Sequence, residues 1–442
     1  MIQIIFEAMF PNEIFDLIID EVGKDRATLR TCTLVRSAWG PRSRLHLFSS
    51  ITLTPFELDG SRSFSNTLRA LQTQMSQTAR VCVNRLVMVG HAYDERINYI
   101  NTDIVRILLR LFPKITHLTL NRVQIENAEP STSHPPRTEY LHRLEYLSLK
   151  YIYCGTGIFD ILSLFGDITT TEIDECIPSF HNQVDVLRFP KIYNLVIQAD
   201  VTEHFISTVL CDHKTTRLTS LLSVSFPLSS DEGQVGWDTF FSHTGKWISK
   251  IKVRLYDALF DYLDGVSLMD NDEELDAIIP ADFWLSIMIW DYCAAMDTLI
   301  VQCDICTDTI EASLPKVFMH TVMLLLTDLA HSNACKHSTQ GLDLTLELVV
   351  SAHLSTLTSY FENTPWERLG TALRHLRQHK KIQLKHITIV FKRFEQRTQY
   401  DAQQVEEIFD EASIILKRGF EGLCMGKDFL RLSTEILEEE DA

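Results

Sequence analysis

The chain has 442 residues, of which 45% are hydrophobic and 23% are charged, as in an ordinary folded protein. Its net charge of −18, without a long Lys/Arg block, argues against sequence-independent nucleic-acid binding, because phosphate backbones repel an acidic chain. No uncharged apolar run approaches the roughly 18 residues that span a bilayer, and residues 1–9 are too short and too acidic for a secretory signal. We expect a cytoplasmic or nuclear protein with two or three domains, or one elongated repeat body with an extension.

The most regular local pattern lies between Phe10 and Ile51. Pro11 suits a first helical turn, and residues 12–22 carry apolar side chains at helical spacing, which predicts an amphipathic helix. Asp25 can cap a second helix over residues 27–39, which Gly40 would end before Pro41 opens a third. The apolar positions are Ile14, Phe15, Ile18, Ile19 and Val22 in the first helix, Leu29, Cys32, Leu34, Val35, Ala38 and Trp39 in the second, and Leu45, Leu47 and Phe48 in the third. This exceeds what three helices need for their own core, so another domain or protein has to cover the surplus.

The order and spacing of these residues match a known motif. They run Phe10-Pro11-x-Glu13-Ile14, then Ile18, Val22 and Leu29, then Cys32-x-Leu34-Val35-x-Ser37-x-Trp39, with Leu47-Phe48 behind them. The segment resembles an F-box, whose motif usually starts Leu-Pro-x-Glu-Ile or -Leu and ends near Val-Cys-x-x-Trp; Phe10 replaces the customary leucine. The resemblance implies that residues 10–51 dock on a Skp-type adaptor and through it on a cullin scaffold. The adaptor-binding residues would then be Phe10, Pro11, Ile14, Ile18, Leu34, Val35 and Trp39. The alternative is that the three helices are an ordinary cap on the domain that follows.

A linker leads from these helices to the rest of the chain. Residues 50–53 predict a short strand, and Ser61 or Ser63 can start a helix that carries Leu68, Leu71 and Met75. We therefore expect residues 52–80 to form a linker region. Residues 1–9 would be an N-terminal extension.

From residue 83 onward the pattern apolar-x-x-apolar-x-apolar recurs. It starts at Val83, Ile115, Leu144, Ile192, Leu221, Ile248, Met296 and Leu384. The short steps between starts suit one strand and one helix each, and the longer steps can hide a degenerate unit such as residues 168–173. Helices are expected between several starts, at residues 102–111 with a Thr102 cap, 157–165, 202–211 and 281–296. In each strand the last two apolar residues point to the same side, because side chains alternate along a strand.

This repetition resembles leucine-rich repeats, which implies a strand on one side and a helix on the other side of each unit. The expected fold class is α/β, with an N-terminal three-helix F-box followed by an irregular leucine-rich-repeat-like α/β solenoid over residues 81–432 and an acidic tail at 433–442. Outward-facing strand residues would hold a protein target; they include Thr119, Ser148, Val196, Ser225, Lys252 and Ile300. No asparagine ladder follows the strands and the unit lengths are irregular, so an unrelated α/β fold with buried strands is the alternative.

Polar insertions interrupt the body at residues 127–138, 227–236 and 264–276, and their Pro, Ser and Gly content predicts exposed loops. The last of them is strongly acidic and would be a mobile loop or a docking patch. Residues 403–418 carry apolar side chains at helical spacing, which suits a helix that closes the last repeat.

Signals for catalysis or metal binding are weak. Cys303-x-x-Cys306 has metal-like spacing, with Cys293, Cys335 and His337 near it in sequence, but a structural zinc site needs a second pair. A redox pair would open a helix after a strand. The chain has no phosphate-binding loop, no GxSxG and no HExxH. We expect reduced cysteines, no catalytic residues, no metal and no cofactor. An enzyme with a thiol or metal site near Cys303 and Cys306 is the alternative.

The expected function follows from the two resemblances. They imply a non-catalytic substrate-recognition subunit of an SCF-type cullin-RING E3 ubiquitin ligase, with a Skp-type adaptor, a cullin and an unidentified protein substrate as partners, and no nucleic acid or membrane. A non-degradative protein-binding scaffold with a solenoid body is the second possibility in the same class.

Overall fold

The chain forms two compact units, Met1–Ile192 and Tyr193–Ala442. The computed structural model describes residues 12–23, 25–35, 39–58, 61–75, 77–91, 98–126, 141–179, 189–198, 205–211, 217–228, 234–255, 286–305, 314–332, 334–335, 341–350, 362, 364, 366–378, 383–394, 410–411, 414–415, 418 and 430–437. Each unit is an α/β structure whose main sheet is parallel. The predicted α/β class is therefore correct.

The first unit begins with three short helices, α1 (Asn12–Glu21), α2 (Arg26–Val35) and α3 (Gly40–Ser49). Asp25 caps α2 as predicted: its Oδ1 accepts hydrogen bonds from the backbone N–H groups of Ala27 (2.9 Å) and Thr28 (3.2 Å). The prediction that the second helix reaches Trp39 and ends at Gly40 was wrong. Trp39 is the N-cap residue of α3, and Pro41 lies in the first turn of α3, where a missing N–H is tolerated.

The remaining elements of this unit are strands interspersed with helices. They are β1 (Ser50–Leu53), β2 (Phe56–Leu58), β3 (Ser61–Ser63), α4 (Phe64–Gln74), α5 (Gln77–Arg80), β4 (Arg85–Val89), β5 (Tyr99–Ile100), α6 (Thr102–Leu111), β6 (His117–Asn121), β7 (Gln124–Ile125), β8 (His142–Cys154), α7 (Gly157–Leu162) and β9 (Phe165–Pro178). Strands β1, β4, β6, β8 and β9 are neighbours in that order and all pair in parallel. Helix α4 packs on α6, and α6 on α7, so successive crossovers lie side by side.

The second unit continues the alternation. It contains β10 (Lys191–Ile197, which starts at the boundary), a π-helical turn (Ile206–Leu210), β11 (Ser223–Leu228), α8 (Gln234–Thr244), β12 (Lys250–Leu255), a 3-10 helix (Ser286–Tyr292), β13 (Thr298–Ile305), α9 (Leu314–His331), β14 (Leu342–Val350), α10 (Trp366–Gln378), β15 (Leu384–Phe394) and β16 (Leu430–Leu437). These seven strands pair in parallel, each with the next. The helices again pack on their successive neighbours.

The register of the strands explains the repeated apolar pattern. Leu86 pairs with Leu118 and Leu118 with Leu147, so equivalent repeat positions lie side by side in the sheet. The second unit shows the same row, formed by Leu195, Val224, Ile251, Leu299, Leu344 and Ile387. All these residues are buried, as are the eight residues that start the pattern. The prediction of one buried strand per repeat is therefore confirmed, and β9 occupies the degenerate unit expected at residues 168–173.

The predicted helices were confirmed in part. The helix at residues 102–111 is present, but Asn101 caps it rather than Thr102: Asn101 has the extended backbone of an N-cap and its Oδ1 accepts from the Ile104 N–H at 3.1 Å. Ser63 caps α4 through its Oγ, which accepts from the Asn66 N–H at 3.2 Å.

Three other helix predictions differ from the described structure. The helix expected at residues 157–165 ends at Leu162, because Phe165 already starts β9. The helix expected at 202–211 is described only as the five-residue π-helical turn, and the one expected at 281–296 only as the 3-10 helix. Most of residues 403–418 and the insertions at 127–138 and 264–276 lie outside the described residues. Of the acidic tail expected at 433–442, residues 433–437 belong to β16 and the rest lie outside the described residues.

A backbone feature recurs in three successive repeats of the first unit, directly after β6 and within β8 and β9. Arg122, Tyr151 and Glu175 have positive φ angles of 54°, 54° and 45°. The residues before them, Asn121, Lys150 and Asp174, are paired in register. The left-handed residue therefore occupies the same position in each repeat, where a non-glycine residue costs roughly 1–2 kcal/mol.

Candidate functional site

One stripe of α1 presents large apolar side chains to solvent. Ile14, Leu17 and Ile18 are three and four residues apart, so they lie on one face of the helix. Their exposed fractions are 39%, 61% and 55%. Ile19, which points to another side of α1, is buried. The helix therefore uses one face for its own packing and leaves a second apolar face uncovered.

The C-terminal end of α2 also presents apolar side chains to solvent. Leu34 is 86% exposed and Val35 is 59% exposed. Leu29 instead belongs to the core of these helices and is completely buried. A leucine and a valine with this exposure contribute little to the core, and adjacent exposed apolar side chains are typical of a contact surface for another molecule. We call these five residues, Ile14, Leu17, Ile18, Leu34 and Val35, the exposed apolar set.

An ion-pair cluster holds α1 on α3. The Asp20 carboxylate accepts a hydrogen bond from Arg42 Nε at 2.6 Å and another from His46 Nε2 at 2.7 Å. These bonds lower the pKa of Asp20 from 3.8 to about 2. The cluster fixes the rotation of α1, and with it the direction in which the apolar stripe of α1 points.

Trp39 lies between exposed and buried. Its ring is 5.2 Å from the ring of Phe15 on α1, at an angle of 39°. Its indole N–H is buried and has no hydrogen-bond partner among the described residues. The position of Trp39 therefore fits a packing role within the helices at least as well as a contact with a partner.

The structure places the predicted adaptor-binding residues as follows. Four of them, Ile14, Ile18, Leu34 and Val35, belong to the exposed apolar set, and Trp39 is half-buried. Phe10 and Pro11 lie outside the described residues. Sequence reasoning missed Leu17, although its spacing of three residues from Ile14 was a usable signal.

A second candidate surface is the sheet face that carries the residues between the buried ones. In the first unit, the buried Glu172 carboxylate accepts hydrogen bonds from the hydroxyls of Tyr146 and Ser148, the latter at 2.9 Å, and pairs with Lys150 Nζ at 3.3 Å. Burial and this carboxylate raise the pKa of the Tyr146 hydroxyl. The three partners alternate along β8, so all of them lie on one face.

The second unit has a charged network on its sheet face. Lys252 Nζ on β12 donates to Glu347 Oε2 on β14 at 2.6 Å, and Lys392 Nζ on β15 lies 2.9 Å from Glu347 Oε1. Burial alone would raise the pKa of Glu347, but the two lysines hold it below its ordinary value of 4.5. Burial lowers the pKa of Lys252. The side chain of Lys252 crosses β13 to reach its partner.

The residues expected to face outward occupy equivalent positions in the register. Val196, Ser225, Lys252 and Ile300 form one row, and Thr119 pairs with Ser148. Their expected exposure was overestimated, because Ser148, Ser225 and Ile300 are buried. Neighbouring strands lie only about 4.8 Å apart, so long side chains such as Lys252 cover the smaller ones beside them.

The cysteines of the second unit lie in apolar surroundings. Cys303 is a buried residue within β13, not at the start of a helix, and Cys306 lies outside the described residues. Burial raises the pKa of the Cys293 thiol, and raises that of Cys335 to about 12. Both thiols are therefore protonated and weakly nucleophilic near neutral pH. The described cysteines form no disulfide.

The described part of the chain shows neither a metal-binding cluster nor a membrane-spanning helix. No group of three or more His, Cys, Asp or Glu side chains there could hold a metal ion. No helix there is long and apolar enough to cross a membrane.

Comparisons with known proteins identify no relative. No family model matches the chain, and no curated protein or solved structure matches it. A function has to be argued from the residues and geometry of the chain itself.

Proposed function

We propose that the chain is a substrate-recognition subunit of an SCF-type cullin-RING ubiquitin ligase. Its N-terminal helices bind a Skp-type adaptor, and its repeat body holds a protein target. The chain performs no bond chemistry. It raises the effective concentration of a target lysine near the ubiquitin-charged enzyme that the cullin recruits.

The observation that carries the proposal is the exposure of Leu34, Val35 and Ile18 on helices whose own core is made by Leu29 and Ile19. These exposed residues occupy motif positions at which an F-box contacts its adaptor. A helical cap on the following domain would bury such side chains. Their solvent exposure in this chain supports a separate partner.

The body supports the second half of the proposal. Within each unit, parallel strands follow one another in chain order and successive helices pack side by side. Right-handed crossovers between strands that advance in one direction place all helices on the same side of the sheet. The other side is then available to a ligand, which is the arrangement of a leucine-rich-repeat solenoid.

The test is reconstitution from purified components. The full-length chain is mixed with a Skp adaptor and a cullin, beside the double variant Ile18→Asp/Leu34→Asp. We expect the wild type to capture both proteins and the variant to lose at least about tenfold in affinity, because charges would replace apolar contacts at the centre of the interface.

The matched control is Val81→Asp/Leu222→Asp, which places the same charges at two other exposed apolar positions. This control should bind like the wild type, and circular dichroism should show all three proteins folded. Failure of the wild type to capture the adaptor would overturn the proposal, and the helices would then be a cap without an adaptor.

A further inference from the structure

A groove open to solvent lies between α2 and α3. Its volume is about 300 Å³. The residues that line it are Arg26, Arg30, Thr33, Arg44, Leu47 and Phe48. The lining thus combines three arginine side chains with a leucine and a phenylalanine.

The positive charge of the groove is not neutralised from within the described part of the chain. The side chains of Arg30 and Arg44 make no hydrogen bond or ion pair with any described residue. Arg26 donates only to a neutral group, the backbone carbonyl of Ser50, at 3.5 Å. Two acids of these helices have other partners, because Asp20 binds Arg42 and Asp25 caps α2.

The groove borders the exposed apolar set. Arg26, Arg30 and Thr33 are four and three residues apart, so they form one stripe along α2. Leu34, the most exposed member of the set, follows Arg30 by four residues and is its neighbour on the helix surface. A partner that covers Leu34 therefore reaches the rim of the groove.

We propose that this groove receives an acidic segment of the adaptor, in which carboxylates flank an apolar side chain. The carboxylates pair with Arg26, Arg30 and Arg44, and the apolar side chain packs on Leu47 and Phe48. Guanidinium groups are suited to this role because they bind carboxylates through two parallel hydrogen bonds. The inference rests on the proposed function, since it names a second contact of the same adaptor.

The charged contact gives the groove a signature that the apolar contact lacks. Attraction between exposed charges weakens as salt rises, because the screening length falls from about 10 Å at 0.1 M to about 3 Å at 1 M. Apolar contacts are not weakened in this way. Salt dependence of adaptor affinity therefore separates the groove from the exposed apolar set.

The experiment measures the Kd of the purified Skp adaptor for the full-length chain at 50 mM and 300 mM NaCl. It compares the wild type with Arg30→Glu/Arg44→Glu and with Arg30→Gln/Arg44→Gln. The control is Arg69→Glu/Lys114→Glu, which reverses two exposed charges in the same unit, outside the groove. We expect the charge reversal to weaken binding about 10- to 100-fold at low salt and to invert the salt dependence, because like charges then face each other across the groove. The glutamine variant should weaken binding less and lose most of the salt dependence.

The outcomes separate the inference from the proposed function. If both groove variants bind like the wild type while Ile18→Asp/Leu34→Asp fails to bind, the groove inference is overturned and the proposed function stands. Equal weakening by the Arg69→Glu/Lys114→Glu control would also overturn it, because the effect would then be one of overall charge. If the wild type does not bind the adaptor, both fail.

Discussion

Asp20 of α1 and Arg42 of α3 form a close ion pair, with the guanidinium Nε 2.6 Å from the carboxylate Oδ1. His46, one turn further along α3, reaches the same carboxylate. This single acid joins two helices that lie more than twenty residues apart in sequence. The ion pair therefore acts beside the packing of the buried Ile19 in orienting α1.

Replacement of Asp20 by Asn should destabilise the N-terminal helices in a pH-dependent way. The folded pKa of about 2 lies below the ordinary value of 3.8. The contribution of the carboxylate is therefore fully present above pH 3.8 and is lost as the pH falls through about 2. Thermal unfolding from pH 7 to pH 2 should show a gap between wild type and variant that closes only at the acid end. A gap that stays constant down to pH 2 would show that the ion pair is not its cause.

Truncation to alanine should cost much more stability at Leu29 than at Leu34. Leu29→Ala removes a fully buried side chain and should cost about 2–5 kcal/mol of stability. Leu34→Ala removes an exposed one and should change stability by less than about 0.5 kcal/mol. Hydrogen exchange in peptides that cover α2 measures both effects. Similar protection losses in the two variants would mean that Leu34 is covered within the chain.

In the Lys252–Glu347–Lys392 network, loss of the carboxylate should cost more stability than loss of Lys252. Glu347→Gln leaves two ammonium groups facing a neutral amide and should cost about 1–3 kcal/mol at pH 7. Lys252→Met removes a cation that burial disfavours and should cost less. The pKa of Glu347 is lowered in the folded state, so its contribution is present above pH 4.5 and is lost at lower pH.

Urea unfolding at pH 7 and pH 4 tests this asymmetry. The matched control is Glu362→Gln at an exposed position, which should leave the free energy of unfolding nearly unchanged. A larger loss from Lys252→Met than from Glu347→Gln would contradict the expected order.

Glu175 allows a test of the left-handed backbone position in β9. Glu175→Ala and Glu175→Gly both delete the side-chain carboxylate and differ only in the Cβ atom. At a φ of 45° the glycine variant should be the more stable by about 1 kcal/mol. At an ordinary strand position the alanine variant would be favoured by roughly 0.5–1 kcal/mol. Urea denaturation of the two variants decides which applies.

The buried rows of the sheet could be predicted from the sequence because the apolar pattern is visible within each strand. Leu118 and Leu147 could be recognised in their own strands without knowledge of the pairing. Strand β14 was missed because Gly341 stands where the first apolar residue of the pattern would be, and β16 because Lys427 stands there. Strand β14 pairs on both sides and tolerates such a substitution, since its remaining apolar residues are buried by their neighbours.

Contacts between strands could not be read from the sequence. Lys252 and Glu347 are 95 residues apart, and their ion pair depends on how many strands separate them in the sheet. The exposure of Leu34 could not be predicted from the sequence either, because it too depends on tertiary packing. Helical spacing places Leu34 on a different face of α2 from Leu29, but only the packing of three helices decides which face is buried.

The in-order pairing of β10 to β16 also determines how this part of the chain responds to a pulling force. Each strand is held by the strand before it and the strand after it in sequence. A force applied at the C-terminal end would therefore detach one strand at a time, and each detached repeat of about 45 residues would lengthen the chain by about 150 Å. A ubiquitin-dependent unfoldase or an optical trap that grips this end would meet a series of small barriers instead of one large barrier.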